Sequence, residues 1–231
     1  MKKIEIEKNT KDYKNKYKNE RCFIIGNGPS LNHTNLNLLK DEYTFALNQI
    51  NLIYDKYDWT PSVYCSFSNR VEKTWRDNIL YNIRNLDVPI FLCKDYEKII
   101  TKELKINFIK TIGTSICNSK DKTQFHVNIE EYVTKYGSTL LSVLEVAIYM
   151  GFKEIYLIGT DLGYEKKNTH FDENYLKLTN PSRYNDDITN THKLINNNIE
   201  QYGVKIYNAT VGGDLEEYER VDFNELLKKN K

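Results

Sequence analysis

The stretch Arg21-Cys-Phe-Ile-Ile-Gly-Asn-Gly-Pro-Ser-Leu31 decides the fold. Its apolar run, Cys22–Ile25, reads as a short buried strand that stops at Gly26. Gly26-Asn27-Gly28-Pro29-Ser30 follows as a tight turn, where glycine lets the backbone approach a ligand closely. Free backbone N–H groups at such a turn, beside a helix start, offer an anion site. Asn27 adds a side-chain amide that both donates and accepts. The chemistry suggested is recognition of a phosphate joined to a polar sugar. The pattern is neither the Walker loop, which ends Gly-Lys-Ser/Thr, nor the dinucleotide GxGxxG. An ordinary strand-to-helix turn with Ser30 as its cap is the plainer reading of the same residues.

Outward from this stretch, short apolar runs alternate with longer mixed segments. Cys22–Ile25, Thr44–Leu47, Val63–Phe67, Pro89–Cys93, Ile106–Ile109, Ile155–Ile158 and Val204–Asn208 read as strands. Such alternation predicts an α/β, Rossmann-like single domain with a mainly parallel sheet flanked by helices. Thr139–Met150 carries Leu140, Leu144 and Ala147 on one helical stripe, and Gly151 stops that helix before the strand at Ile155. Residues 1–20 are polar and lysine-rich, which predicts a loosely packed lead-in to a domain spanning 21–231. The span Tyr164–Asn190 is polar, aromatic-studded and non-periodic, and is expected to form a lid over the site.

Composition narrows the class. With 231 residues the chain can bury one sizeable core. Its net charge of +1 argues against a nucleic-acid partner, because such domains usually have a pI above about 9. Hydrophobic residues make up 40% and aromatics 13%, which is the composition of a folded chain. No apolar run approaches the roughly 20 residues of a membrane span, and the first residues lack a signal-peptide core. Cys22, Cys65, Cys93 and Cys117 are widely spaced, as expected of thiols in a reducing compartment, not of a zinc site or disulfide framework. A cytoplasmic protein is expected. Peripheral association with the inner face of the membrane, and oligomerisation, stay open.

In a parallel sheet, ligands bind beyond the carboxyl ends of the strands. Those ends carry Gly26-Asn27-Gly28, Asn48-Gln49, Ser66 with Ser68, Lys94-Asp95, Gly159-Thr160-Asp161 and Asn208-Ala-Thr210. Loop starts are polar in any α/β protein, but so many amides, hydroxyls and carboxylates on one rim suit sugar hydroxyls and a nucleobase edge.

Three segments together carry a family resemblance: Gly26-Asn-Gly-Pro-Ser-Leu31, Phe45-Ala-Leu-Asn48-Gln49, and Val146-Ala-Ile-Tyr-Met-Gly-Phe-Lys-Glu-Ile-Tyr-Leu-Ile-Gly-Thr-Asp161. They resemble the bacterial CMP-sialic acid-dependent sialyltransferases of glycosyltransferase family 42. They also resemble a broader related set that includes methanopterin-pathway pyrophosphokinase-like proteins. In that set His170-Phe-Asp172 and Tyr207-Asn-Ala-Thr-Val-Gly-Gly-Asp-Leu-Glu216 match as well. The resemblance implies transfer of a CMP-activated, sialic acid-like sugar from a nucleotide-sugar donor to a surface glycan acceptor, without a cofactor.

By the same resemblance, Asn27 and Asn48 contact the CMP part of the donor, with Gly26, Gly28 and Ser30 forming the turn. Ser66 and Asp95 stand where further contacting asparagines occur, and Ser138 or Thr139 supplies the hydroxyl that binds the donor phosphate. Tyr136 stands where an arginine is usual. Of the tyrosine pair that assists the departing phosphate, Tyr164 lies one place off and Thr169 replaces the other. The family's catalytic histidine falls near Asp186, beside Tyr184.

The base candidates on chemistry are therefore His170, Asp186 and Asp161, with His192 ranked lower as a solvent-facing residue at a helix start. Asp161 reads equally as a turn cap. A pyrophosphokinase would need Mg²⁺ held by carboxylates and phosphates. One carboxylate, not a closely paired DxD, follows the strand at Ile155–Ile158, although Asp95 and Asp161 could meet across the rim to hold the ion; the transferase reading needs no metal. A nucleotide-sugar-binding protein without catalysis is the third alternative.

Overall fold

The computed structural model describes residues 1–68, 73–100, 105–113, 125–163, 169–175 and 181–228, with side chains at 181–185 left aside. Among these residues ten strands run β1 Arg21–Ile25, β2 Tyr43–Leu47, β3 Val63–Ser66, β4 Ile90–Cys93, β5 Ile106–Ile109, β6 Thr111–Gly113, β7 Val133–Lys135, β8 Glu154–Ile158, β9 Lys205–Asn208 and β10 Glu219–Arg220. Among the described residues the α-helices are α1 Lys73–Asn85, α2 Thr139–Met150, α3 Pro181–Asn198 and α4 Phe223–Lys228. Short 3-10 turns, among them Pro29–His33 after β1 and Lys94–Lys98 after β4, fill several crossovers.

Eight strands form one sheet in the order β10-β9-β8-β1-β2-β3-β4-β5, and every pair is parallel. All the strands expected from the sequence lie in it. The chain leaves β1 toward β5 on one side, then returns to β8 on the other. The switch point is therefore the β1–β8 boundary, where a parallel sheet opens a crevice at its carboxyl edge. Strand β1 pairs with β8 from Arg21 opposite Glu154 to Ile25 opposite Ile158. That register brings Gly26 and Gly159 side by side.

Helix α2 packs against the sheet with every residue from Leu140 to Met150 buried, including Ser142 and Glu145. Gly151 ends it in the left-handed conformation at φ 102°, as the sequence predicts. The strands are apolar on both faces, in keeping with a parallel sheet covered on both sides.

Two expectations are corrected. Residues 1–20 are not loosely packed: Ile4, Tyr13 and Tyr17 are buried, and Tyr17 stacks on Phe152 with ring centroids 5.2 Å apart. The aromatic rings, hidden among lysines, supply the burial that the polar composition obscured. The expected lid is not loop throughout, because its last third, from Pro181, is the start of α3. Residues 164–168 and 176–180, including Tyr164, lie outside the described residues, as does Cys117.

Candidate functional site

A cavity of about 250 Å³ opens over the β1–β8 switch point. Gly26, Asn27 and Gly28 line it from β1, Asn48 from β2, Phe67 and Ser68 from β3, and Gly159 to Leu162 from β8. Lys135, Gly137, Ser138 and Thr139 form a further wall at the β7–α2 junction. Thr169, His170 and Tyr175 cover it, and α3 contributes Ile188 and His192.

The glycine turn is occupied by the protein itself. Gly26 N–H donates to the Ile158 carbonyl and Gly28 N–H to the Gly159 carbonyl, each at 2.8 Å. Ser30 N–H and Ser30 Oγ donate to the two oxygens of Asp161, at 3.0 and 2.7 Å. A Cβ at Gly28 would lie 1.9 Å from Asp161 Oδ2, and one at Gly26 would lie 2.3 Å from the Gly159 carbonyl oxygen. The glycines thus permit two strand ends to touch, and the anion at the turn is the Asp161 carboxylate. This corrects the expectation of free N–H groups awaiting a ligand. Ser30 is buried against Asp161 and is absent from the cavity wall.

Asn27 behaves differently. It is only 8% exposed, and its Nδ2 donates to the Leu47 carbonyl at 3.1 Å and to Tyr175 Oη at 2.9 Å. The carbonyl can only accept, so the amide orientation is fixed. Asn27 Oδ1 is then left buried without a hydrogen-bond partner, a costly arrangement unless a ligand donates to it. Asn48 is held in the left-handed region at φ 49°, which asparagine tolerates better than most residues. Ser66 Oγ donates to Asn48 Oδ1 at 2.9 Å, and the Asn48 carbonyl accepts from Tyr64 Oη and Asn82 Nδ2. Ser66 is therefore a fully buried support for Asn48 and not itself part of the wall.

The β7–α2 junction is built on a buried carboxyl group. Glu145 accepts from Thr134 N–H at 3.0 Å and from Tyr136 Oη at 2.6 Å. Burial pushes Glu145 up to about 8, against those hydrogen bonds, and pushes Tyr136 up as well. Ser142 Oγ donates to the Thr134 carbonyl at 2.7 Å. At the helix start Ser138 makes no side-chain capping bond, and the first turn holds no acidic residue. The positive end of a buried helix of twelve residues thus faces the cavity with hydroxyls at Ser138 and Thr139.

Segment 169–175 is fastened to the glycine turn and the 3-10 turn after it. Phe171 N–H donates to the Asn27 carbonyl at 2.9 Å, and Asn32 Nδ2 donates to the Phe171 carbonyl at 2.7 Å. His170 stacks on Tyr175 at 3.9 Å, with its Nδ1 2.9 Å from Thr169 Oγ1. Tyr175 meets Trp75 edge-on at 6.0 Å.

His192, expected at a helix start facing solvent, sits inside α3 and is buried. Its Nδ1 lies 3.0 Å from Tyr218 Oη, and burial pushes it down to about 3, so it stays neutral. Asp186 is exposed on α3 and does not line the cavity; the Tyr184 side chain lies outside the described residues. Asp95 is also absent from the wall, its side chain 58% exposed and 3.9 Å from Lys135 Nζ. The buried thiols Cys22 and Cys65 are pushed up by desolvation and so hold their protons. Among the described residues no helix is long and apolar enough to cross a membrane. Tyr175 belongs to the span expected to close over the site, whereas Lys135, Trp75 and the burial of His192 go beyond the expectations from sequence. The Lys135 signal, one cation three residues before Ser138, was there to be read.

A family model for 6-hydroxymethylpterin diphosphokinase MptE-like proteins matches residues 1–167. No curated protein matches the chain. Among solved structures, the MAf glycosyltransferase from Magnetospirillum magneticum AMB-1 is similar at 14% identity and TM-score 0.57, over 98% of this chain and 42% of that one. The chain thus spans less than half of that protein's length. The sialyltransferase CstII from Campylobacter jejuni with CMP-3FNeuAc is similar at 18% identity and TM-score 0.55, over 89% of this chain and 87% of that one. Its complex with cytidine-5'-monophosphate is similar at 17% identity and TM-score 0.50, over 88% of each. At these identities the likeness establishes the shared fold.

Proposed function

This chain belongs to the 6-hydroxymethylpterin diphosphokinase MptE-like family, and we propose that it is a glycosyltransferase using a CMP-linked acidic sugar. The acceptor in this reading is a surface glycan, which places the protein in the cytoplasm near the inner face of the membrane. The observation that carries the reading is Asn27, which lines the same cavity as the open start of α2 and whose Oδ1 is buried without a hydrogen-bond partner. A nucleotide needs a donor and an acceptor at its base end and a site for negative charge at its phosphate. Asn27 and Asn48 form the first, Ser138 and Thr139 the second. The similar solved proteins that carry CMP and CMP-3FNeuAc support the choice of nucleotide.

In the transfer step the acceptor hydroxyl oxygen bonds to the anomeric carbon and loses its proton to a base. The sugar–phosphate bond breaks and its electron pair stays on the phosphate. His170 is the base in this reading: it lines the cavity, and Thr169 together with the Tyr175 ring fixes its orientation. Segment 169–175 also shields the donor from water.

The family match favours a second reading, a diphosphokinase, in which Mg²⁺ would offset the charge of the nucleotide phosphates. The carboxylate of the cavity wall is Asp161, whose oxygens both accept from Ser30. It could give such an ion one ligand at most without releasing the turn, leaving the remainder to phosphate and water.

A thermal-shift series with CMP, UDP, GDP and ATP, each in EDTA and in Mg²⁺, separates the readings. The transferase reading expects the largest shift from CMP, undiminished by EDTA, and its loss in Asn27→Ala. A Mg²⁺-dependent shift from ATP that exceeds that of CMP would establish the diphosphokinase instead. CMP binding with no turnover of a CMP-sugar would leave a binding protein.

A further inference from the structure

We infer that Lys135 is the cation that offsets the charge of the departing phosphate, and that Asp95 is its resting partner, not a nucleotide contact. The inference rests on the transferase reading and adds a residue to it.

Lys135 is the cationic side chain of the cavity wall among the described residues. Its side chain is 24% exposed, yet its ion-pair partner Asp95 stands 3.9 Å away, beyond hydrogen-bond reach, with its own carboxylate largely in water. Such a pair is weak, so the ammonium can turn to a stronger anion at little cost. Both neighbours of Lys135 are tied to the buried Glu145: Thr134 donates to it through its backbone N–H and Tyr136 through its side-chain Oη. The chain then passes through Gly137, at φ 84°, to Ser138 and Thr139. Charge, hydroxyls and helix start therefore meet on one rigid wall. Asn27 lines the same cavity, and its buried Oδ1, left without a hydrogen-bond partner, is the independent sign that a ligand belongs there.

The chemistry needs such a group. When the sugar–phosphate bond breaks, a phosphodiester with one negative charge becomes a monoester with two. Lys135 keeps its proton and offsets the added charge. No proton moves to or from it. Removing one preorganised stabiliser of developing charge typically lowers kcat by about 10²- to 10³-fold.

The test compares CMP with cytidine by calorimetry on wild type, Lys135→Met, Lys135→Arg and Asp95→Asn. Wild type should prefer CMP over cytidine by about 10- to 100-fold, the size of one charge-assisted hydrogen bond. That preference should grow as pH rises past about 6, where a phosphate monoester gains its second charge. Lys135→Met should lose most of the preference and its pH dependence while binding cytidine like wild type, and Lys135→Arg should keep both. Asp95→Asn should bind CMP at least as tightly as wild type. An undiminished preference in Lys135→Met, or loss of CMP binding in Asp95→Asn, overturns the inference. Should Lys135→Met fail to fold, the wild-type pH dependence and Asp95→Asn still decide. If ADP and not CMP binds wild type, the transferase reading falls and ADP against adenosine decides the role of Lys135. No preference of wild type for either nucleotide over its nucleoside overturns it outright.

Discussion

Two strand-to-helix junctions border the cavity, and they have opposite fates. At the β1 turn, Gly28 and Ser30 give their N–H groups to Gly159 and Asp161, so the protein supplies its own anion. At the β7–α2 turn, Ser138 leaves the helix start uncapped and Lys135 stands beside it. The glycine-rich motif looks like the phosphate site and works as a structural clasp. The plainer junction is the one open to a ligand. A glycine marks only a place where something comes close, and the neighbour can be another strand.

The contrast is broken most severely at the clasp. Gly28→Ala puts a methyl carbon 1.9 Å from Asp161 Oδ2 and 2.8 Å from the Gly159 carbonyl oxygen. The expected outcome is a loss of about 3 kcal/mol or more, or no folded protein. Thr139→Ala at the other junction should keep the wild-type melting temperature within a few degrees yet weaken CMP. Equal melting temperatures for both variants would erase the distinction.

Next in size is the base. His170→Ala should lower kcat by about 10²- to 10⁴-fold with donor affinity retained. Turnover at the wild-type rate would move the role to His192, the other cavity histidine.

Asp161→Asn probes the clasp more gently. A neutral amide cannot accept from both Ser30 donors as the carboxylate does, and a loss of about 1–3 kcal/mol in unfolding free energy is expected. Nucleotide affinity should change little. Lost turnover at unchanged stability would instead place Asp161 in the chemistry.

The smallest effect is a pH dependence at the open junction. Glu145 ordinarily titrates near 4.5 and is pushed up to about 8 in the fold. The folded state therefore holds more protons than the unfolded chain between these values, and stability falls as pH rises across them. Glu145→Gln should remove that part of the fall, so the variant gains on wild type at pH 8 relative to pH 5. His192 has the opposite slope: pushed down to about 3, it withdraws stability as pH drops below about 6.5. Urea unfolding at pH 5 and pH 8 measures the Glu145 effect, and identical shifts for wild type and variant would contradict it.

The sheet was legible because parallel strands buried on both faces leave continuous apolar runs, and Gly151 announced the end of α2. Strands β6, β7 and β10 are too short to leave such a signal. At the site, Asn27 and Asn48 stood out because they end adjacent strands. The partners that decide what each residue does are remote in sequence. Ser30 meets Asp161 across 131 positions, and Asn27 meets Tyr175 across 148. Ser66, polar at a strand end, turned inward to hold Asn48, which no local pattern reveals. His192 looked solvated because its helix is mostly polar, yet it lies on the buried stripe with Ile188 and Ile195.

The most direct measurement is a crystal structure with CMP bound. The phosphate is expected at the start of α2, within hydrogen-bond reach of Ser138 or Thr139 and beside Lys135, with Asn27 Oδ1 accepting from the nucleoside. A phosphate seated on the Gly26–Ser30 turn, with Asp161 displaced from Ser30, would contradict it.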